Sequence, residues 1–139
     1  MNREPAPGTC TVPFRWRSGQ VEFLLITRAG VSSWEFPRTE ANGHTPDVES
    51  LAASLNQTLG LHGTVDGEPI GRFKSSRGSE SHSVVAFLME ITGDGALNRT
   101  GELRCRWCFP EEARVRIRRK PLRRLIDAAL HRLAPQTSR

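Results

Sequence analysis

Ser54, Gln57 and Thr58 fall on one face of a helical segment that is polar but uncharged. They can hydrogen-bond a ligand, yet they offer only neutral oxygens to a hard cation such as Mg²⁺, which wants anionic ones. Cys105-Arg106-Trp107-Cys108 has the spacing of half a zinc site. No second half exists, because Cys10 is the only other cysteine, and the apolar, strand-like setting makes both thiols packing residues. His44, His62, His82 and His131 show no metal-ligand spacing and read as loop or surface histidines. Arg114, Arg116, Arg118, Arg119, Lys120, Arg123 and Arg124 form a dense basic run. Such a run attracts phosphate-rich ligands or nucleic acid, or simply forms a solvated helix face. It lacks the interleaved aromatics of single-strand binders.

The elements that would carry these residues are legible from periodicity and turn chemistry. Cys10 to Trp16 and Val21 to Thr27 read as strands of a hairpin turning at Arg17-Ser18-Gly19-Gln20. Residues 28–45 contain Gly30, Pro37 and Gly43 and little periodicity, which predicts a long ordered loop around Trp34-Glu35-Phe36-Pro37. Thr45-Pro46 predicts a helix start, with the hydroxyl as N-cap, Pro at N1, and Asp47 and Glu49 in the first turn. Val48, Leu51, Ala52, Leu55 and Leu59 give it a buried stripe, and Gly60 ends it. Ile70 to Ser75 and Ser83 to Thr92 predict a second hairpin across Ser76–Glu80, and Glu102 to Phe109 a further strand. Pro110 opens a short helical turn, and Leu122, Leu125, Ile126, Ala129, Leu130 and Leu133 set one apolar face of a last helix. Trp16, Trp34 and Trp107 read as core or loop anchors. Strands, a helix, more strands and a helix predict a mixed sheet with helices laid on it, of α/β or α+β type.

A chain of 139 residues with 37% hydrophobic and 25% charged residues suits one soluble globular domain and excludes wholesale disorder. The run Val84–Met89 is far short of the ~20 apolar residues that cross a bilayer, so no membrane partner is expected. Residues 1–8 read as a leader, 9–133 as the domain and 134–139 as a tail; the absence of a signal or transit pattern predicts a cytoplasmic location. The net charge of +5 is a C-terminal feature. Residues 111–139 hold nine Lys/Arg against three Asp/Glu, and the remainder is close to neutral.

In order and spacing, Val12-Pro13-Phe14-Arg15, the run Val21–Ile26, Trp34-Glu35-Phe36-Pro37-Arg38, the helix ending Leu59-Gly60-Leu61, and Arg106-Trp107 ahead of Pro110-Glu111-Glu112-Ala113 resemble the Nudix superfamily across residues 9–133. The resemblance implies an α/β/α sandwich, a mixed sheet between helices. Trp34 to Thr39 and Lys120-Pro121 are similar to their counterparts in diadenosine-polyphosphate and diphosphoinositol-phosphate hydrolases. The family box, G-x5-E-x7-R-E-U-x-E-E-x-G-U with U bulky and aliphatic, is placed by Gly60-Leu61 and runs back to Thr39. Thr39 then stands at the first Gly, Thr45 at the first Glu, Ala53 at the Arg, Ser54 at the next Glu, and Gln57 and Thr58 at the Glu pair. Leu55, Gly60 and Leu61 are retained. A second register starting at Gly43 is rejected because it puts Thr64 at the final Gly.

The resemblance implies that glutamates at the positions of Ser54, Gln57 and Thr58 gather divalent cations against a pyrophosphate and help generate the attacking hydroxide. Here the scaffold positions are kept and the metal ligands are lost. The expectation is a nucleoside diphosphate derivative or other polyphosphate bound with little or no hydrolysis, and no metal held on this helix. By resemblance Arg38 stands where the family has Lys beside the box, Arg28, Arg72, Lys74 and Arg77 lie on or near loops bordering the ligand cleft, and Trp34 is placed to stack on a base. Glu102 stands in a region from which some members bring an auxiliary carboxylate, so it is a candidate catalytic residue. Two alternatives stay open. One is an active hydrolase holding Mg²⁺ or Mn²⁺ on relocated carboxylates among Glu40, Asp47, Glu80 and Glu102. The other is a nucleic-acid-binding module using residues 114–124.

Overall fold

Ser18 and Gly19 both hold positive φ, 53° and 81°, the requirement of a tight hairpin turn whose twist matches its strands. The turn joins β1 (Gly8–Arg17) to β2 (Gln20–Arg28), paired in register from Phe14↔Phe23 to Arg17↔Gln20. The structure is a computed structural model and describes residues 8–28, 30, 33–39, 47–77, 80–93 and 103–134, without the side chains of Ser76, Arg77, Glu80 and His82. The remaining elements are β3 (Arg38–Thr39), α1 (Val48–Leu59), β4 (His62–Val65), β5 (Gly71–Arg77), β6 (Glu80–Gly93), β7 (Leu103–Cys108), α2 (Pro110–Arg116) and α3 (Lys120–Leu133). They form a seven-stranded sheet in the order β4-β6-β1-β2-β7, with β3 on β1 and β5 on β6. Only β1 and β6 run parallel, so the sheet is mixed.

Both faces of the sheet are covered, which is why Val21 to Leu25 are buried without a break instead of alternating. One face carries Val12, Phe23, Leu25 and Val84 against Ile117, Leu122 and Ile126 from α3 and the segment before it. The other carries Leu24, Met89 and Ile91 against Leu51, Leu55 and Leu59 of α1. The predicted stripe of α1 is therefore its buried side, with Val48 and Ala52 at its margin. The result is a three-layer arrangement of helix, sheet and helices. Among the described residues no helix is long and apolar enough to cross a membrane.

Three sequence expectations are corrected and one strand is added to them. Asp47, not Thr45, caps α1: its carboxylate accepts the Ser50 N–H at 2.7 Å and its backbone is extended. Thr45 and Pro46 lie outside the described residues. A carboxylate outcompetes a hydroxyl here because it also neutralises the positive end of the helix dipole. Second, β4 is a strand that local pattern does not announce; His-Gly-Thr-Val owes its conformation to pairing with β6. Third, Trp16 is an exposed residue, 48% accessible, edge-on to Phe14. Fourth, α2 extends to Arg116 and is a helix of two turns. The hairpin, the end of α1 at Gly60 in the left-handed conformation (φ 73°), and the last helix agree with expectation.

Cys105 and Cys108 stand three positions apart on one strand, so they project to opposite faces and pack in different cores. They cannot pinch one metal ion. Burial pushes the Cys108 thiol up to about 11 and the Cys10 thiol up to about 12, which makes both poor thiolates and packing groups.

The cap supplies a pH test. The Ser50 backbone N–H holds the Asp47 carboxyl below its ordinary value. A depressed folded-state pKa contributes stability that is complete above the unfolded value and is lost as pH falls through the folded one. Asp47→Ala should therefore melt below the parent protein at pH 7, with the gap closing as pH is taken down through the aspartate range. Asp47→Asn, which caps without charge, should retain most of the difference at every pH. A gap that is constant with pH would show that the carboxylate charge contributes nothing to the cap.

Candidate functional site

The segment Trp34–Thr39 fills the place where β1 and β2 splay apart. Glu35 exchanges backbone hydrogen bonds with Ile26 at 2.8 and 2.9 Å, and the Thr11 N–H donates to the Pro37 carbonyl at 3.0 Å. Phe36 is fully buried, edge-on to Phe23 with ring centroids 6.2 Å apart. These anchors carry the chain into β3, where Arg38 and Thr39 face Cys10 and Thr9 respectively. The loop predicted around Trp34 is thus a strand-like plug wherever it is described.

Because consecutive strand residues project oppositely, β3 splits its two side chains between the faces. Arg38 points to the α3 side. Its Nη1 donates to the Ser75 hydroxyl at 3.2 Å and its guanidinium lies 5.9 Å from the Phe73 ring centre. Its residue is exposed, and one hydrogen bond leaves most of its donor fork unused among the described residues. Thr39 faces the α1 side, where its carbonyl accepts from the Thr9 hydroxyl at 3.0 Å. Beside it Thr11, 1% exposed, has a hydroxyl with no partner among the described residues. An apolar residue of the same shape would fill that position at no polar cost.

On the α1 side Ser54 is half-buried while Gln57 and Thr58 are exposed. The Thr58 hydroxyl donates back to the Ser54 carbonyl at 2.8 Å, so one of the three neutral groups is engaged with its own helix. A carboxylate that sequence reasoning overlooked lies on the same face of the sheet. Glu22, 7% exposed, accepts from the Arg15 Nε at 2.8 Å, and the Arg15 guanidinium sits 4.1 Å above the Trp107 ring. Its signal in the sequence is the charged pair flanking the hairpin turn, Arg15 and Glu22, which strand register sets side by side. That carboxylate is matched by its own cation. Among the described residues no group of three His, Cys, Asp or Glu stands together to hold a metal.

The other candidates divide. Arg28 is exposed at the end of β2, opposite Leu103, on the α1 side. Trp34 is half-buried with the Arg116 guanidinium 5.6 Å over its ring, and Arg116 is itself held by Glu112 at 2.7 Å. Glu112 also accepts from Arg106 at 2.8 Å, and these bonds hold its carboxyl below the usual range. Arg72 and Lys74 are exposed on β5, on the face of the sheet opposite Phe73. Asp47, one of the relocated carboxylates considered, is committed to the cap. Glu40 and Glu102, and the side chains of Arg77 and Glu80, lie outside the described residues. In the basic run, Arg114 pairs with Asp127, Arg116 with Glu112, and Arg123 donates to the Arg118 carbonyl. Much of that charge is engaged within α2 and α3.

No protein-family model matches the sequence, and comparison with curated proteins finds no match. Solved structures do. The chain superposes on the Ap4A hydrolase of C. elegans with a TM-score of 0.76, 15% identity, and coverage of 94% of this chain and 99% of that one. The fold is that of the Nudix hydrolases. The NUDIX domain of Shewanella oneidensis NrtR, complexed with ADP ribose, gives 0.72 at 13% identity over 95% of this chain and 90% of that one. The ORF135 protein of E. coli gives 0.66 at 20% identity over 96% of each chain. Within that fold α1 buries Leu51, Leu55 and Leu59 against the sheet and ends at Gly60, with Leu61 buried just beyond it.

Proposed function

We propose that this Nudix-fold protein binds a nucleoside diphosphate derivative or related polyphosphate and hydrolyses it little or not at all. The observation that carries the reading is the flank of α1. Neutral side chains occupy the three positions expected to carry carboxylates, and the buried carboxylate on that side of the sheet, Glu22, is already paired with Arg15. These groups do not fit Mg²⁺ or Mn²⁺, which need anionic oxygen ligands. Phosphate recognition would fall to Arg38, pre-oriented by Ser75 yet exposed on the α3 side of β3; Arg28, Ser54, Gln57 and Thr58 stand on the opposite face of the sheet and do not join it. Trp34, with its half-buried ring, would sit under the base. That two superposable proteins are an Ap4A hydrolase and an ADP-ribose complex supports this ligand class.

A melting-temperature panel of ADP-ribose, diadenosine tetraphosphate, nucleoside triphosphates and nucleotide sugars tests it. A ligand present at 100 times its dissociation constant stabilises the native state by about 2.7 kcal/mol. At least one compound should raise the midpoint, without Mg²⁺ and without release of phosphate. Arg38→Ala should weaken that compound about tenfold, the worth of one charge-assisted bond. No shift with any anionic compound would refute binding. Phosphate release that requires Mg²⁺ or Mn²⁺ would move the active hydrolase ahead, with Glu40, Glu80 and Glu102 to be changed to Gln in turn.

A further inference from the structure

The outer edge of the sheet carries a second feature that the ligand reading does not use. Among the described residues β5 pairs with β6 along one side only and no strand lies on its other edge. α3 lies beside that edge: Leu125 Cδ2 would be 3.1 Å from a Cβ built on Gly71, and Arg132 of the same helix bonds to the carbonyls of Glu68 and Pro69 at 3.2 and 3.1 Å. The helix and the strand therefore run past one another in opposite directions. Between them is an open groove of about 350 Å³, walled by five consecutive residues, Ile70 to Lys74, and by one ridge of the helix, Pro121, Arg124, Leu125 and Ala128. Gly71 at its floor is what permits so close an approach.

The lining combines an apolar floor with three cations. Phe73, Leu125 and Ala128 supply the floor, and Arg72, Lys74 and Arg124 supply the charge. None of the three cations makes an ion pair with a described residue. Strand register places Arg72 and Lys74 opposite Val85 and Ser83, on the face away from Phe73, whereas Arg124 comes from the helix. The cations accordingly flank the groove from both sides and do not converge on one point. A compact anion needs convergence; an extended acidic chain needs flanking charge along its length. A second copy of this chain pairing through β5 would set Arg72 and Lys74 against themselves, a like-charge penalty that argues against it.

We infer that the β5–α3 groove is a docking site for an acidic, extended peptide that adds a strand to the open edge of β5. Main-chain hydrogen bonds to the edge supply affinity, alternate side chains of the peptide lie on the apolar floor, intervening Asp or Glu residues turned to the other face meet Arg72 and Lys74, and Arg124 on the helix side adds attraction along the groove. The five wall residues of the strand span about 16 Å, which matches five to six residues of partner at about 3.3 Å each.

The probe is a fluorescein-labelled, end-blocked peptide, Glu-Val-Glu-Leu-Glu-Val, titrated with the full chain and read by anisotropy, with amide NMR shifts locating the contact. The expected result is saturable binding with the largest shifts at residues 70–74. Affinity should fall at least tenfold for the same peptide with Lys in place of Glu, and for the peptide N-methylated on alternate residues, which removes strand pairing but not charge. Arg72→Glu/Lys74→Glu and, separately, Arg124→Glu should each cost at least fivefold; all three positions are exposed, and unchanged melting curves will confirm that the variants fold. Equal binding of the N-methylated peptide would overturn strand addition. Binding of inorganic pyrophosphate at the same residues with no peptide binding would make this a small-anion site, and preferential binding of a labelled oligo-dT would make it a nucleic-acid surface; either overturns the proposal. Arg38 reaches the Phe73 ring at the groove floor, so the two readings are told apart by repeating the nucleotide panel on Arg72→Glu/Lys74→Glu, where an unchanged midpoint shift keeps nucleotide binding distinct from the lost peptide binding.

Discussion

Titration of the ligand-free protein with Mg²⁺ or Mn²⁺ should be calorimetrically flat up to millimolar concentrations, and hydrolysis of diadenosine tetraphosphate or ADP-ribose should stay at background. Mg²⁺ dehydrates reluctantly and is held by carboxylates or by phosphates of a ligand. The α1 flank offers a serine, a glutamine and a threonine whose hydroxyl is turned back onto its own helix. Glu22 could bind a cation only by abandoning Arg15, leaving a guanidinium stacked on Trp107 without its counter-ion. Separating a largely buried pair of this kind costs a few kcal/mol, more than a hydrated divalent ion gains from one carboxylate. The gain-of-function variant makes the argument two-sided. Ser54→Glu, Gln57→Glu and Thr58→Glu, with Thr45→Glu and Ala53→Arg, should return Mn²⁺ binding at millimolar concentration or tighter, because α1 is already buried and terminated in the required way. Turnover is a separate readout, because returning the metal does not by itself position a substrate. Tight metal binding by the unaltered protein would mean that carboxylates elsewhere have replaced the box.

The largest stability effect is expected at Gly63. A Cβ there would lie 2.0 Å from the Glu90 carbonyl oxygen and 2.9 Å from its carbon, inside the backbone of the neighbouring strand. Nothing flexible can yield, because the obstacle is main chain. The close approach belongs to an irregularity in the ladder: His62 pairs with Gly93 while Gly63 pairs with Ile91, so β6 carries one extra residue, Thr92, whose hydroxyl reaches the His62 carbonyl at 3.4 Å. Gly63→Ala must push β4 away from β6, and β4 follows directly from the end of α1 through Gly60 and the buried Leu61. Overpacking of this kind costs about 3 kcal/mol, which for a chain of this length lowers the melting midpoint by roughly 10 °C. Thr64→Ala, one residue along and exposed, should change stability by about 0.5 kcal/mol or less. Urea unfolding with an unchanged slope would separate a loss of native stability from an altered unfolded state. A neutral Gly63→Ala would show that β4 can detach at no cost and does not hold α1 on the sheet.

The elements best read from sequence are those whose signals are local. The Ser18-Gly19 turn, the stripe of Leu51, Leu55 and Leu59, and the stop at Gly60 depend on residues within a few positions of one another, and each stands where expected. The neutral chemistry of positions 54, 57 and 58 is equally local, since Ser54, Gln57 and Thr58 are read directly from the sequence. Near α1's first turn two competing local signals stood two residues apart, Thr45 and Asp47, and the stronger acceptor took the cap.

Other features were set by pairing between distant strands, which no local count contains. β4 became a strand because β6 offered it an edge. Glu22 became the buried carboxylate because register laid it beside Arg15 and under the layer that α1 closes. The candidate cations, a single list in the sequence, were dealt to different places: Arg38 to the α3 side with Ser75, Arg28 to the end of β2, and Arg72 and Lys74 to an open edge beside α3. The sequence by itself determined which chemical groups are present on α1, neutral ones at Ser54, Gln57 and Thr58. Tertiary structure alone decided which groups meet, because a strand turns successive side chains to opposite faces and one step of long-range register decides which face each receives.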